Sequence, residues 1–128
     1  MTLELAKKLL SIALAKARER NRPCSIAVVD ENGWLVALHR MDEAPAPTAD
    51  IARDKAWTAA TFRLPSSEVT RFGTGLNAQN WNDRLTNIPG GLPIWKDGQV
   101  IGAVGVCGGA PEEDEAFCKA VIEAFDEG

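Results

Sequence analysis

Apolar residues return every three or four positions between Leu5 and Ala17, at Leu5, Leu9 and Ile12 and again at Ala6, Leu10, Ala13 and Ala17. That spacing lines one face of an α-helix, and Thr2 stands where its hydroxyl can cap the first turn. Beyond the polar break closed by Pro23 the period changes. Ser25–Asp30 is a β-branched run, Asp30-Glu31-Asn32-Gly33 carries hairpin-turn chemistry, and Trp34–Met41 is the expected return strand.

Pro45 and Pro47 take Glu43–Pro47 out of any ladder, because proline has no backbone donor. Thr48 is then the expected N-cap of a helix from about Ala49 to Phe62, which Pro65 closes. Ser66–Phe72 reads as a further short helix, capped by Ser66 or Ser67 with Glu68 in its first turn. From Gly73 to Pro93 the chain is rich in Gly, Asn and Pro without a clear period, and long irregular stretches of this kind often carry function. Leu92–Lys96, the turn Asp97-Gly98 and Gln99–Cys107 form a second hairpin. Pro111 opens a last helix with the stripe Phe117, Ala120, Val121 and Ala124. Two hairpins separated by helices predict an α+β fold, an antiparallel sheet with helices packed on it, and exclude a Rossmann arrangement.

A length of 128 residues suits one domain over positions 1–128. The formal charge of −4, with no basic stretch interleaved with aromatics, argues against a nucleic-acid partner. Lys7 and Lys8 interrupt the first apolar pattern, so neither a secretory leader nor a membrane partner is expected and the cytoplasm is the expected location. Cys24, Cys107 and Cys118 are odd in number and far apart, as apolar fillers are, and suggest no metal site.

Candidate chemistry concentrates in a few places. Lys55 shares a helical stripe with Ile51, Thr58 and Phe62, a costly position for an ammonium unless it meets an anion. It is either a structural ion-pair partner of Asp54 or Asp42, or an anchor for a ligand carboxylate, or a base. Arg40 and Asp42 share one strand face, where Arg40 either forks onto a ligand carboxylate or forms a rim salt bridge. His39 is the sole imidazole, so any catalytic triad would need it, and it is the one imidazole available to iron. Gly90-Gly91-Leu92-Pro93-Ile94 allows close backbone approach to a ligand, although it matches no phosphate-loop pattern. Asp83 and Arg84, with Asn77, Asn80 and Trp81, are further candidates for lining a pocket.

Six segments in order resemble the GlcG/HbpS/PduO C-terminal domain family, the haem-degrading-like DUF336 group. They are Ile26–Asp30; Leu35–Ala37 with Arg40-Met41-Asp42; Lys55-Ala56 with Thr58-Ala59; Gly90–Ile94; Val100–Val106; and Pro111–Glu115. The resemblance covers nearly the whole chain. It implies a five-stranded antiparallel sheet flanked by helices in the order α-β-β-α-α-β-β-β-α, homodimers that build larger rings, and binding of haem or a corrinoid in several members. The chain departs from that pattern at Cys107, where the family usually has Ser, at Ala44-Pro45-Ala46-Pro47, and in a first helix without histidine. His39, Met41 or Cys107 then remain as iron ligands, or haem stays unbound.

Three readings follow. One is a binding module for haem or another tetrapyrrole, with Arg40 and Lys55 on the propionates and Gly90, Gly91, Pro93 and His39 about the ligand. Another is a cofactor-free enzyme for a small carboxylate or oxo acid, an isomerase, hydratase or lyase, with Arg40 as anchor and Lys55 or Asp42 moving a proton. The third is a structural subunit whose glycines pack chains together.

Overall fold

The computed structural model describes residues 1–72 and 82–128. The chain runs through α1 (Leu3–Glu19), β1 (Ser25–Asp30), β2 (Leu35–Arg40), α2 (Pro47–Phe62), a 3-10 helix over Ser66–Phe72, β3 (Gly91–Lys96), β4 (Gln99–Cys107) and α3 (Pro111–Glu127). The sheet order is β2-β1-β4-β3 and every pairing is antiparallel.

Three layers result. Ile26, Val28, Val104 and Val106 meet Leu9, Leu10 and Ala13 of α1 and Phe117 and Val121 of α3. Ala27, Val29 and Ala103, one step along the pleat, meet Ala52, Ala56, Ala59 and Ala60 of α2. Successive strand residues face opposite ways, so β1 and β4, covered on both faces, read as continuous apolar runs. The α2 interface is built from small residues because helix and strand approach closely. A Cβ on Gly105 would run into the carbonyl of Ala52, and one on Gly91 into the carbonyl of Lys55.

Four strands, not the expected five, are present among the described residues. Between β3 and the 3-10 helix, side chains take the backbone groups that a further ladder would use. Thr58 Oγ1 accepts from Thr86 N at 3.0 Å and lies 3.2 Å from Arg84 O, while Ser66 Oγ donates to Ile88 O at 2.7 Å and accepts from Gly91 N at 3.0 Å. The part of the irregular stretch over 73–81, including Asn77, Asn80 and Trp81, lies outside the described residues.

Capping follows expectation at one helix and departs from it at two. Thr2 Oγ1 accepts from Leu5 N at 3.1 Å, as expected. Helix α2 starts at Pro47, and Ala46 holds the N-cap position without a side-chain bond. Thr48 turns inward instead, donating to Pro45 O at 2.6 Å with its Oγ1 2.8 Å from Ser25 Oγ. Ser66 is spent on the backbone groups above, and Ser67 Oγ bonds Glu115 Oε1 at 2.7 Å, so neither serine caps the 3-10 helix.

Candidate functional site

The strand registers gather the candidate residues at one end of the sheet. Arg40, Ser25 and Cys107 form a row of Cα partners, and Gly91 pairs with Gly105 beside it. Strands β2 and β4 end here while β1 and β3 begin, so the loops bearing Asp42 and Gly90 converge on the same edge. Asp83 and Arg84 do not join them. The Arg84 guanidinium lies 5.5 Å from the Trp34 ring, by the β1–β2 turn at the far end.

Lys55 is 1% exposed and Asp114 is 2% exposed, and together they close this end of the core. The Lys55 Nζ donates to Val106 O at 2.9 Å and to Asp114 Oδ2 at 3.4 Å, and Asp114 Oδ1 accepts from Gly109 N at 3.0 Å. The anion is therefore Asp114 and neither Asp54 nor Asp42. It sits in the first turn of α3, where the helix dipole favours a negative charge. Lys55 thus reaches round the sheet end from one helical layer to the other. Gly90, at φ +132°, makes room for it, since a Cβ there would stand 2.7 Å from Nζ. Gly90 and Gly91 are buried over Lys55.

Arg40 is exposed, and its Nη1 donates to Ala44 O at 2.9 Å, holding the turn after β2. His39 lies on the edge strand opposite Ile26 and is exposed. Asp42 lines a cleft of about 390 Å³ between the end of α1 and that turn, with Leu14, Ala17, Arg18, Arg22 and Met41 among its walls. Arg22 Nη2 is 2.6 Å from Glu113 Oε2. Gly109 leaves space for its guanidinium, because a Cβ there would stand 2.6 Å from Nη1. The buried pair is thereby linked to the cleft through Gly109, whose N–H Asp114 holds. Pro93 lies apart from this cleft. It lines an apolar groove of about 350 Å³ with Pro65, Leu92, Trp95 and Ile122.

Reading by spacing passed over Arg18 and Arg22. They sit four residues apart across the C-terminus of α1, a signal shared with any helix end that carries cations for the dipole. The three thiols are poor nucleophiles here. Burial pushes Cys24 up to about 11 and Cys118 still higher. Burial also raises Cys107, against the opposing pull of Lys55. Among the described residues no three His, Cys, Asp or Glu side chains cluster to hold a metal ion.

An antiparallel sheet between α1/α3 and α2, with a polar cleft at the α1 end, defines a small α+β protein. The chain belongs to the family of haem degrading HbpS-like proteins, whose model matches residues 1–123. A 15.0 kDa protein from the dhaT-dhaS intergenic region of Citrobacter freundii is 37% identical over 135 residues, covering 99% of this chain and 93% of its own. Klebsiella pneumoniae ORFY superposes with a TM-score of 0.90 at 35% identity, covering 98% of this chain and 90% of its own. HbpS of Streptomyces reticuli, solved as a double Glu-to-Asp variant, does so at 0.87 and 30% identity, covering 97% and 86%. Among the described residues no helix is long and apolar enough to cross a membrane.

Proposed function

We propose that the protein binds haem or another tetrapyrrole at this end of the sheet, as a cytoplasmic homodimer or larger homo-oligomer. The observation that carries the reading is the match to haem degrading HbpS-like proteins over residues 1–123. The residues present suit such a ligand. Arg18 and Arg22, the latter paired with Glu113, offer guanidinium forks for propionates beside the carboxylates of Asp42 and Glu43, and Leu14, Ala17, Pro23 and Met41 give apolar contact. Its volume of about 390 Å³ lies within the range of small-ligand pockets, roughly 300 to 1,000 Å³.

Bound haem would supply redox-active iron. The chain's own part is to bind and orient. Arg40 holds the turn that carries Met41 and Asp42, and the Lys55–Asp114 pair with Gly90 and Gly91 supports the loops beneath the ligand. His39 and Pro93 lie on the two opposite edge strands, outside the cleft wall, and take no part in holding the ligand in this reading. Saturable haemin binding, weakened in Arg18→Ala and Arg22→Ala, tests the reading, and non-saturable uptake opposes it.

One observation favours a second reading, an enzyme for a small carboxylate or oxo acid. Asp42 is exposed on the rim of a cleft that also holds two arginines, so an acid could be anchored near a proton acceptor. In that reading Arg40 and Lys55 position the loops about Asp42. Deuterium exchange into small 2-oxo acids that is lost in Asp42→Asn supports it, and equal exchange in both proteins rejects it.

A further inference from the structure

We propose that the outer edge of β2 pairs with the same edge of a second copy of this chain about a two-fold axis, joining two four-stranded sheets into one continuous sheet. The contact belongs to the homo-oligomer of the reading above, rests on that part of it alone and holds with or without haem. Strands β2 and β3 are the two edges of the sheet. An edge strand turns alternate backbone N–H and C=O groups outward, and these are a template for another strand unless something blocks it.

The edge at β3 is blocked. Val106 N donates to Gly90 O at 2.8 Å, so the alternation of an antiparallel ladder turns Leu92 and Ile94 toward β4 and Gly91 and Pro93 outward. Ser66 Oγ takes the Gly91 N–H at 3.0 Å, and Pro93 has no N–H to offer. A register shift at Ile94/Trp95 and then Lys96 close the strand. The edge at β2 is open. Met41 N donates to Cys24 O at 3.1 Å, so the same alternation turns Ala37 and His39 toward β1 and Leu38 and Arg40 outward. Among the described residues no side chain or loop bonds the backbone N–H or C=O of Leu38 or Arg40. Neither proline nor lysine falls between Leu35 and Arg40, and the one register shift lies before Ala37. The Arg40 side chain is drawn aside to Ala44 O at 2.9 Å.

What seats there must bring an extended strand with apolar margins on both faces. Val36 and Ala37 lie at the margin of the core layer under α1 and α3, and Leu38 lies at the margin of the layer under α2. A second copy presents the same margins, and a two-fold contact requires such self-complementarity. Two-fold symmetry makes the strands antiparallel. The Arg40 end of each β2 then lies beside the Asp30-Glu31 turn of the other, where Glu31 is exposed, so a cation meets acids twice. Asp42 and Glu43, which follow Arg40, line the α1 cleft instead. The same placement sets the partner's Trp34 and Leu35 beside the Met41–Glu43 turn, covering two large apolar side chains that are 61% and 47% exposed in the single chain. Six paired residues alone fall short of the roughly 1,000 Å² of a stable interface. Association is therefore concentration-dependent, and these flanking contacts set its strength.

The test uses the full chain without haemin. Sedimentation velocity over a range of concentrations gives the mass, and amide hydrogen exchange read residue by residue at high and low concentration gives the contact. A dimer should form as concentration rises. In it the Leu38 and Arg40 amides should slow by about tenfold or more, while those of Ala37 and His39, held by β1 in either state, stay as they are. Leu38→Pro, which copies on β2 what Pro93 does on β3, should weaken dimerisation about tenfold or more. Arg40→Glu, which turns the meeting of cation and acid into a repulsion, should weaken it too. Circular dichroism checks that each variant folds, and if Leu38→Pro does not, the exchange pattern and Arg40→Glu decide. A chain that stays monomeric at every concentration overturns the contact together with the oligomer above. A dimer in which Leu38 and Arg40 exchange as fast as in the monomer, or one that the folded variants leave as strong, overturns the contact alone. Haem binding, read by its own titration, stands or falls apart from either result.

Discussion

Replacing Lys55 by Met removes an ammonium that is 1% exposed while keeping an unbranched side chain of similar length. Asp114 loses its cation, and Val106 O loses the donor at 2.9 Å. Stranding one partner of a buried ion pair costs about 3 to 5 kcal/mol, and the unsatisfied carbonyl alone accounts for about 1 to 3 kcal/mol of that. Domains of this size hold about 5 to 15 kcal/mol in total, so Lys55→Met should consume roughly a fifth of that or more. Adding Asp114→Asn removes the stranded charge but keeps an acceptor for Gly109 N. The double variant should therefore recover about 2 kcal/mol of the loss, within the coupling range of contacting residues. Urea unfolding followed by the fluorescence of the four tryptophans measures both, with an unchanged slope showing that the unfolded state is the same. A loss below about 1 kcal/mol in Lys55→Met, or strictly additive losses in the double variant, would refute a buried pair as the closure of this sheet end.

Gly105→Ala should destabilise by about 3 kcal/mol or more in the same unfolding assay, because its Cβ meets the α2 backbone at Ala52 and Ala56, which cannot move like a side chain end. Of the three cysteines, Cys107 should react first with a disulfide reagent, with a rate that climbs above pH 9 because burial raises its thiol. Cys24 and Cys118 should react only on unfolding, as mass spectrometry of labelled peptides would report. Burial raises the Asp54 carboxyl above its ordinary 3.8, so the folded chain holds that proton more tightly than the unfolded one. The resulting stability is fully present below 3.8 and lost as pH rises through the raised folded value. Asp54→Asn should accordingly raise the melting midpoint at pH 7 and lose that advantage near pH 3, a contrast that thermal melts at the two pH values can read.

Local chemistry made much of this fold legible. The periods of α1 and α3, the two hairpin turns and the continuous apolar run of β1 each depend on neighbours in sequence, and each stands where the pattern puts it. Long-range pairings were not legible. Lys55 invited an anion, but the two residues nearest in the pattern, Asp54 and Asp42, were displaced by Asp114, 59 positions away and in the opposite layer. Thr48 has the residue type of a cap, yet its hydroxyl meets Ser25 from β1 once α2 packs on the sheet, and Pro47 needs no capped donor. Among the described residues no fifth strand forms for a related reason, as Thr58 and Ser66 bond the backbone of Thr86 and Ile88 from outside any ladder. At the site, the gathering of Arg40 and Gly91 follows from strand register, whereas Lys55 comes to them only through the packing of α2 on the sheet, and the cleft between α1 and the Met41 turn appears only when those two elements are placed together.

Haem binding at the cleft is open to a visible titration of the purified full chain with haemin, set against a buffer blank and an Arg18→Ala, Arg22→Ala double variant. A bound tetrapyrrole should give a Soret shift that saturates at a fixed ratio of haem to chain and weakens when both arginines are removed from the cleft. A shift that grows without saturation, or one identical in the double variant, would contradict it.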